Sequence, residues 1–341
     1  MAGTIQQIAE LAGVSRGTVD RALNHRGRIR PDVAEKIWKI ADEIGYRPKH
    51  TEKRKGVTDH AVKIGVVTQL SKSSFMIQVN QGIRDAQKEL EERGVTLVWK
   101  DILTVDEQEQ LQAIDQLVSE GIHGLALMPI ECESVRLKIN ELVDEYHIPV
   151  ITFNSDIVGT RRCCFVGLDN KRSGFTAAGL MGMLTRGEGK ILTITGYFTN
   201  SVNSLRVEGF IREAKQSYPA MELLGVQSSF DDADEVEKII ISTMDRVPDL
   251  AGIFVASAGQ AGVRRAFDKL KCRRPYVIVY DITPRNVQAL REGDVDFLID
   301  QEAYVQGNRP PLMLYDLLVK GQEPEKEYIF TDINIKTKYN I

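Results

Sequence analysis

The chain has 341 residues, 43% of them hydrophobic and 27% charged, an ordinary globular composition in a length that suits two or three domains. No apolar run approaches the span of a bilayer, and the N-terminus lacks the apolar core of a signal peptide. Neither the four cysteines (Cys132, Cys163, Cys164, Cys272) nor the five histidines (His25, His50, His60, His123, His147) are spaced as metal ligands, so a cytoplasmic protein with reduced thiols, no metal and no cofactor is expected. The net charge of −4 is uneven: residues 1–57 carry twelve Lys and Arg against seven Asp and Glu, a net of +5, which leaves −9 for the rest. A basic end on an acidic body suits a nucleic-acid contact confined to the N-terminus.

Thr4 and Gln7 make a capping-box pattern at the start of a helix whose apolar positions are Ile5, Ile8, Ala9 and Ala12. Gly13 stops that helix, because glycine takes the left-handed conformation at low steric cost. Ser15 caps a second helix, from about Arg16 to Leu23, that turns Val19, Ala22 and Leu23 inward and Arg16, Gly17, Thr18 and Arg21 outward. The pair reads as a helix-turn-helix, whose second helix can lie in a DNA major groove, or as an αα-hairpin in some unrelated core. A basic turn from His25 to Arg30 leads to a third helix with Pro31 at its first position. Val33, Ala34, Ile37, Ile40, Ala41 and Ile44 keep the helical period there, and Gly45 ends it.

Ile8-Ala9, Ala12-Gly-Val-Ser15, Thr18-Val19, Arg21-Ala-Leu-Asn24 and Gly45-Tyr-Arg-Pro48 together closely resemble the headpiece of LacI/GalR-family transcription regulators. The resemblance implies that Arg16, Gly17 and Arg21 face base edges, where arginine's planar fork matches the two acceptors of guanine. It implies that Ser15, Thr18 and Asn24 help to hold phosphates. Asp20 stands where the family usually has a serine; it is expected to pair with Arg16, Arg21 or Arg26, or to meet a cytosine amino group. Beyond Pro48 the family usually forms a hinge helix whose leucine wedges into the minor groove. Here Lys49 to Gly56 holds no leucine, so little bending is expected, while the basic residues track phosphates and make binding salt-dependent.

From Val62 the pattern alternates between strands and helices. Strands are predicted at 62–68, 96–100, 124–128 and 150–153, with helices at 76–93, 106–120 and 134–146 between them. A second set begins at Phe165, with helices at 171–184, 203–217, 232–245 and 261–270 and strands at 190–195, 223–227, 252–255 and 276–280. Such βα repetition makes parallel sheets covered by helices on both faces, here in two similar lobes. The strand Phe297–Asp300 and a helix around Leu312–Val319 are expected to return to the first lobe, and the tail 328–335 to cross again.

This body resembles the sugar-binding fold shared by ribose-binding-type periplasmic proteins and the effector domains of the same regulators. The resemblance rests on Ile148-Pro-Val-Ile-Thr-Phe-Asn154, Arg206-Val-Glu-Gly-Phe210, Tyr280-Asp281, and Asp300-Gln301 followed by Gln306-Gly307. The expected organisation is therefore α/β. A three-helix helix-turn-helix headpiece covers 1–48 and a basic linker or hinge covers 49–61. A two-lobed, doubly wound parallel α/β effector domain like a periplasmic binding protein covers 62–341. Lobe 1 is expected at about 62–160 and 302–325, lobe 2 at about 163–301 and 326–341.

The resemblance implies a ligand in the cleft at the C-terminal ends of the strands. Its lining would be Ser73, Phe75, Met76, Asn154 and Ser155 from the first lobe and Arg206, Phe230, Ser257, Asp281 and Gln301 from the second. Aldose hydroxyls need donors and acceptors in fixed geometry, which Asn, Gln, Asp and Arg supply, and the two phenylalanines offer flat walls to a ring's C–H faces. As alternatives, Phe75 and Phe230 are ordinary core, Arg206 is solvated, and Asp281 caps the turn near Thr283-Pro284. The ribose-type pattern has an Asp-Arg pair where Asn154-Ser155 stands, and an Asn where Ser257 stands. Asp156 is expected to supply a carboxylate one step later, and the reading becomes a sugar-like polyol rather than ribose.

Gly187-Glu-Gly-Lys190 lacks the spacing of a phosphate loop and reads as a turn into a strand. Asp231-Asp232 and Asp234-Glu235 sit at a helix start, where negative charge suits the dipole. No nucleophile or acid–base arrangement appears, so an enzyme is not expected. The function expected is a cytoplasmic, homodimeric transcription regulator, a repressor, that reads a palindromic double-stranded DNA operator and responds to a sugar or polyol, with no membrane partner. The alternative is a sugar-binding sensor with a vestigial headpiece and no DNA role.

Overall fold

The computed structural model describes residues 4–23, 31–44, 62–70, 73–270 and 274–341. The chain falls into two units, Met1–Val57 and Thr58–Ile341. The first holds α1 (Ile5–Ala12), α2 (Arg16–Leu23) and α3 (Pro31–Glu43). Thr4 and Gln7 close the capping box on α1, and Gly13 ends it at φ 69°, where its N–H reaches the Ala9 and Glu10 carbonyls. Lys36 donates from α3 to the Ala12 carbonyl at 3.0 Å, so a cation serves the C-terminal end of α1. Ile8, Val19 and Ile37, all fully buried, form the centre of a small core with Ala12, Ala22, Leu23 and Ala41.

The second unit opens with β1 (Lys63–Thr68), α4 (Met76–Glu92), β2 (Thr96–Asp101), α5 (Glu107–Ser119), β3 (Gly124–Leu127), α6 (Glu133–Asp144), β4 (Val150–Phe153) and β5 (Cys164–Gly167). It continues with α7 (Asn170–Thr185), β6 (Glu188–Thr195), α8 (Ser201–Ser217), β7 (Ala220–Ser228), α9 (Ala233–Arg246), β8 (Leu250–Val255), α10 (Ala261–Lys269) and β9 (Tyr276–Tyr280). The last elements are α11 (Pro284–Glu292), β10 (Phe297–Asp300), α12 (Ala303–Lys320), β11 (Tyr328–Phe330) and β12 (Asn334–Lys336).

Two six-stranded sheets result, β2-β1-β3-β4-β5-β11 and β7-β6-β8-β9-β10-β12. All pairings are parallel except that of β12, which runs antiparallel to β10. Strands such as β3, β4 and β5 are buried along their whole length, as expected where helices cover both faces of a parallel sheet. The strand at Phe165, expected to open the second lobe, instead belongs to the first: Cys164 pairs with Ile151 and Val166 with Phe153. Conversely, β10 stays in the second sheet beside β9 rather than returning to the first. A four-residue apolar strand reads alike in either sheet, and only its pairing partner decides. The chain therefore crosses between lobes three times, between β5 and α7, between β10 and α12, and between β11 and β12.

Two helices also differ from expectation. Helix α11 was not read from the sequence, although Thr283 caps it, Pro284 begins it and Gly293 ends it. Helix α12 starts at Ala303 rather than near Leu312, and Pro310 and Pro311 lie inside it, where proline ordinarily argues against a helix.

Matching glycine pairs bring helices close in both lobes. A Cβ at Gly82 would lie 2.2 Å from the Tyr304 carbonyl and one at Gly307 2.1 Å from that of Val79, where α4 meets α12. Where α7 meets α8, a Cβ at Gly174 would lie 2.2 Å from the Arg206 carbonyl and one at Gly209 2.1 Å from that of Lys171. The second seat fixes the height of Arg206 above the sheet.

Candidate ligand cleft and DNA-facing helix

Among the described residues, eight other than glycine have positive φ, and six of these follow strand ends: Leu70, Asn154, Phe230, Asp231, Asp281 and Glu302. They come after β1, β4, β7, β9 and β10, at the C-terminal edges where open α/β sheets bind ligands. A left-handed backbone at a residue with a side chain costs about 1 kcal/mol or more. Strain of this kind persists only where surrounding bonds hold it. For Asp281 those bonds are its N–H to the Ile299 carbonyl at 2.9 Å and the Asn286 amide on its own carbonyl at 3.0 Å.

Arg206 anchors a polar network at these strand ends. It is 3% exposed, so the solvated reading does not hold. Its Nε donates to Asn170 Oδ1 at 2.9 Å, Nη1 to the Ala256 carbonyl at 3.0 Å and Nη2 to Gln301 Oε1 at 3.1 Å. Three of its five N–H groups are thus engaged. Beneath it lies the fully buried ring of Tyr280, 3.9 Å from the guanidinium carbon, a cation–π contact in a desolvated place. Burial pushes the Tyr280 phenol up to about 12, and its hydroxyl bonds Ser173 at 2.8 Å. It stays neutral there and serves as a floor.

Gln301 passes the network on. Its Nε2 donates to Asp281 Oδ1 at 2.6 Å. Burial raises the Asp281 carboxyl above its ordinary value, while the charge of Arg206 and the bond from Gln301 pull it down. Gln306 Nε2 donates to the Gln301 carbonyl at 2.7 Å, and Gln306 Oε1 accepts from Asn154 Nδ2 at 3.0 Å. A continuous polar chain, Asn170–Arg206–Gln301–Gln306–Asn154, therefore runs from the second lobe to the first through the crossover before α12. The crossovers are knitted as well: Thr331 donates its hydroxyl to the Gln301 carbonyl at 3.0 Å and its N–H to the Gly167 carbonyl at 2.9 Å.

The remaining expected residues divide. Phe230 is 58% exposed and meets Tyr197 edge-on at 5.5 Å, so it is no core residue. Phe75 and Ser73 are half-buried before α4, whereas Met76 is fully buried. Ser257 is buried at the end of β8, where its hydroxyl reaches the Ala258 carbonyl at 3.4 Å. Ser155 is buried too, but its hydroxyl is committed to the Pro129 carbonyl at 2.7 Å. Asp156 does not supply the spare carboxylate expected of it. Arg162 grips both its oxygens at 2.6 Å, and Thr152 donates to one of them at 2.7 Å.

Sequence reasoning missed Asn170, Gln306 and Asn286, which are bonded into this network. All three are buried polar residues in the first turn of a helix that follows a strand. A polar residue placed there against an apolar background was the available signal. Asp232 caps α9 through the N–H groups of Asp234 and Glu235. Gly187 takes positive φ in the turn into β6 and Gly189 in its second residue. Both match the readings of those acidic and glycine-rich stretches.

In the first unit Ser15 Oγ accepts from the Thr18 N–H at 3.2 Å and lies 2.9 Å from its hydroxyl, which caps α2. Ser15, Arg16 and Gly17 are exposed and Thr18 is half-buried. The outward face of α2 is thus small, polar and basic at its N-terminal end, the end that enters a groove in this motif. Asn24, the side chains of Asp20 and Arg21, and the linker 49–61 lie outside the described residues. Among those described, no helix is long and apolar enough to cross a membrane.

Residues 64–323 match the family described as periplasmic binding protein domain, and residues 4–49 that described as bacterial regulatory proteins, lacI family. The chain is similar to the HTH-type transcriptional repressor PurR of Klebsiella pneumoniae subsp. pneumoniae, 23% identical over 222 residues, 63% of this chain and 60% of that protein. It is also similar to the HTH-type transcriptional regulator CelR of Thermobifida fusca, 26% identical over 262 residues, 74% of this chain and 73% of that one. The chain spans about 60% of the length of the PurR relatives it matches. Among solved structures, a sugar-binding protein of a sugar ABC transporter from Bacillus halodurans is similar at a TM-score of 0.75 and 25% identity. That likeness covers 82% of this chain and 98% of that one.

Proposed function

Since the chain belongs to the periplasmic binding protein domain family and its residues 4–49 match the lacI family of bacterial regulatory proteins, we propose that it is a ligand-responsive, DNA-binding transcription repressor. The outward face of α2 reads the operator, with Arg16, Gly17 and Arg21 toward base edges and Ser15, Thr18 and Asn24 toward phosphates. A homodimer sets two such helices on a palindromic site, and the protein works in the cytoplasm. A sugar or polyol binds between the lobes.

The observation that carries the ligand reading is the Arg206–Gln301–Asp281 network at the strand ends, with Arg206 and Gln301 buried and Asp281 half-buried. It holds a cation and a carboxyl in one fixed frame, and each keeps hydrogen-bonding capacity beyond the bonds it makes within the protein. A neutral, hydroxyl-rich solute matches that mixture of donors and acceptors, and its ring faces match the exposed Tyr197–Phe230 pair. The likeness to a sugar-binding protein supports the same class. Ser73, Phe75, Met76, Asn154, Ser155 and Ser257 complete the expected lining, with Asn154 acting through Gln306, and Ser155 and Met76 through packing.

A thermal-shift screen of the full chain against aldoses, polyols and their phosphates tests this. A ligand at a hundred times its dissociation constant stabilises the folded state by about 2.7 kcal/mol. Arg206→Lys, which keeps the charge and loses the planar fork, should abolish the shift. A screen in which no neutral sugar or polyol raises Tm would overturn the ligand reading. The ligand moves the switch only by its differential affinity for the two lobe arrangements.

A further inference from the structure

Among the described residues, two polar contacts join the lobes away from the crossovers. One is long, from Gln78 Nε2 on α4 to the Ile282 carbonyl at 3.4 Å. The other is a charged pair of bonds: Glu131, in the loop after β3, accepts from the hydroxyl of Ser201 at 2.7 Å and from its backbone N–H at 3.2 Å. Ser201 is the first residue of the 17-residue helix α8, so this N–H is one of the donors a helix start leaves unsatisfied. The Asn200 side chain serves the N–H of Asn203 instead. The carboxylate of one lobe thus sits on the positive end of a helix in the other.

Both partners are held in place before they meet. Gln110 donates to the Met128 carbonyl at 3.0 Å and accepts from the Ile130 N–H at 2.8 Å, while Ser155 donates to the Pro129 carbonyl at 2.7 Å. Those bonds fix residues 128–130 and so present Glu131. On the other side Ser204 donates to the Phe198 carbonyl at 2.8 Å, which folds the loop back onto the start of α8. Desolvation raises the Glu131 carboxyl above its ordinary range, opposed by the two Ser201 donors, and Asp156 adds a like charge nearby. The group has given up water in exchange for the opposite lobe.

We propose that Glu131 and Ser201 form an interlobe latch that holds the cleft closed independently of any ligand and sets how often the lobes part. Charge-assisted bonds are the stronger kind, and this one lies at the mouth of the cleft, where a small energy acts on the whole opening motion. Parting the lobes returns Glu131 and the Ser201 N–H to water, so the latch is reversible.

Hydrogen–deuterium exchange on the full chain, without added ligand, tests this. Glu131→Ala removes the acceptor. Ser201→Pro removes both donors and keeps the helix, because proline suits the first helical position and the preceding Asn200 is extended at φ −85° and ψ 117°. The reporters are residues 256–260 and 281–283, cleft loops of the second lobe that touch neither residue. Each single variant should speed exchange there about fivefold, and the double variant no further, since both remove one contact. Reporter loops that stay at the wild-type rate, or a double variant equal to the product of the singles, would overturn the latch. If exchange also rises at the centre of β6, folding itself has been lost. Glu131→Gln then decides: it keeps shape and an acceptor and loses only the charge, and the latch requires it still to speed the two loops.

Discussion

Asp281 is an acid kept in a place that penalises its charge. Its carboxyl is raised above the ordinary 3.8 chiefly by burial, so the folded protein still holds the proton at a pH where the unfolded chain has released it. The stability linked to that proton is present below the unfolded value and is lost as pH rises through the folded one. Asparagine tolerates the left-handed backbone that Asp281 adopts at φ 73°, and its oxygen can still accept from Gln301. Asp281→Asn should therefore melt above wild type at pH 7.5, with the difference shrinking toward pH 4, while ligand binding is lost. Calorimetric melts at both values check this; an equal difference at the two would show that desolvation of the charge is not the cause.

At the scale of elements, position is set by how closely helices can approach. Gly174→Ala would push α7 off the Arg206 carbonyl, an overpacking error of about 1–3 kcal/mol. Because the displaced backbone is that of Arg206, ligand affinity should fall at least tenfold in the same variant, whereas Gly179→Ala, with open space around it on the same helix, should leave affinity unchanged and raise stability by about 0.5–1 kcal/mol. Denaturant titration and calorimetry separate the two effects. The same elements explain what the sequence revealed. Helix caps and the βα alternation were legible from local pattern, and the family motifs pointed to Arg206, Asp281 and Gln301, whose side chains are joined by hydrogen bonds. The sheet that owns β5, the start of α12 and the commitment of Asp156 to Arg162 were not, since each is decided by which groups the folded chain brings together rather than by local pattern. Pro310 and Pro311 hid the first half of α12, and the short run after Thr283 hid α11.

For the whole molecule, the DNA contact should behave as a basic surface reading a few bases. Arg16→Ala should weaken operator binding by about 1–3 kcal/mol if it reads a guanine, measured by fluorescence anisotropy at fixed salt. Binding should fall steeply as salt rises, because each phosphate contact releases counterions. An affinity indifferent to both would favour the sensor with an unused headpiece. The three crossings between lobes have a different consequence, for how the protein is made. The first sheet gains its outer strand only with Tyr328–Phe330, and α4 gains its helical neighbour only with Ala303–Lys320. The second sheet waits for Asn334–Lys336. A growing chain on the ribosome therefore holds two unfinished lobes until its final stretch emerges, and both are completed almost together. A premature stop just after Lys320 would strip an edge strand from each sheet at once, damaging both halves of the effector domain with one lesion.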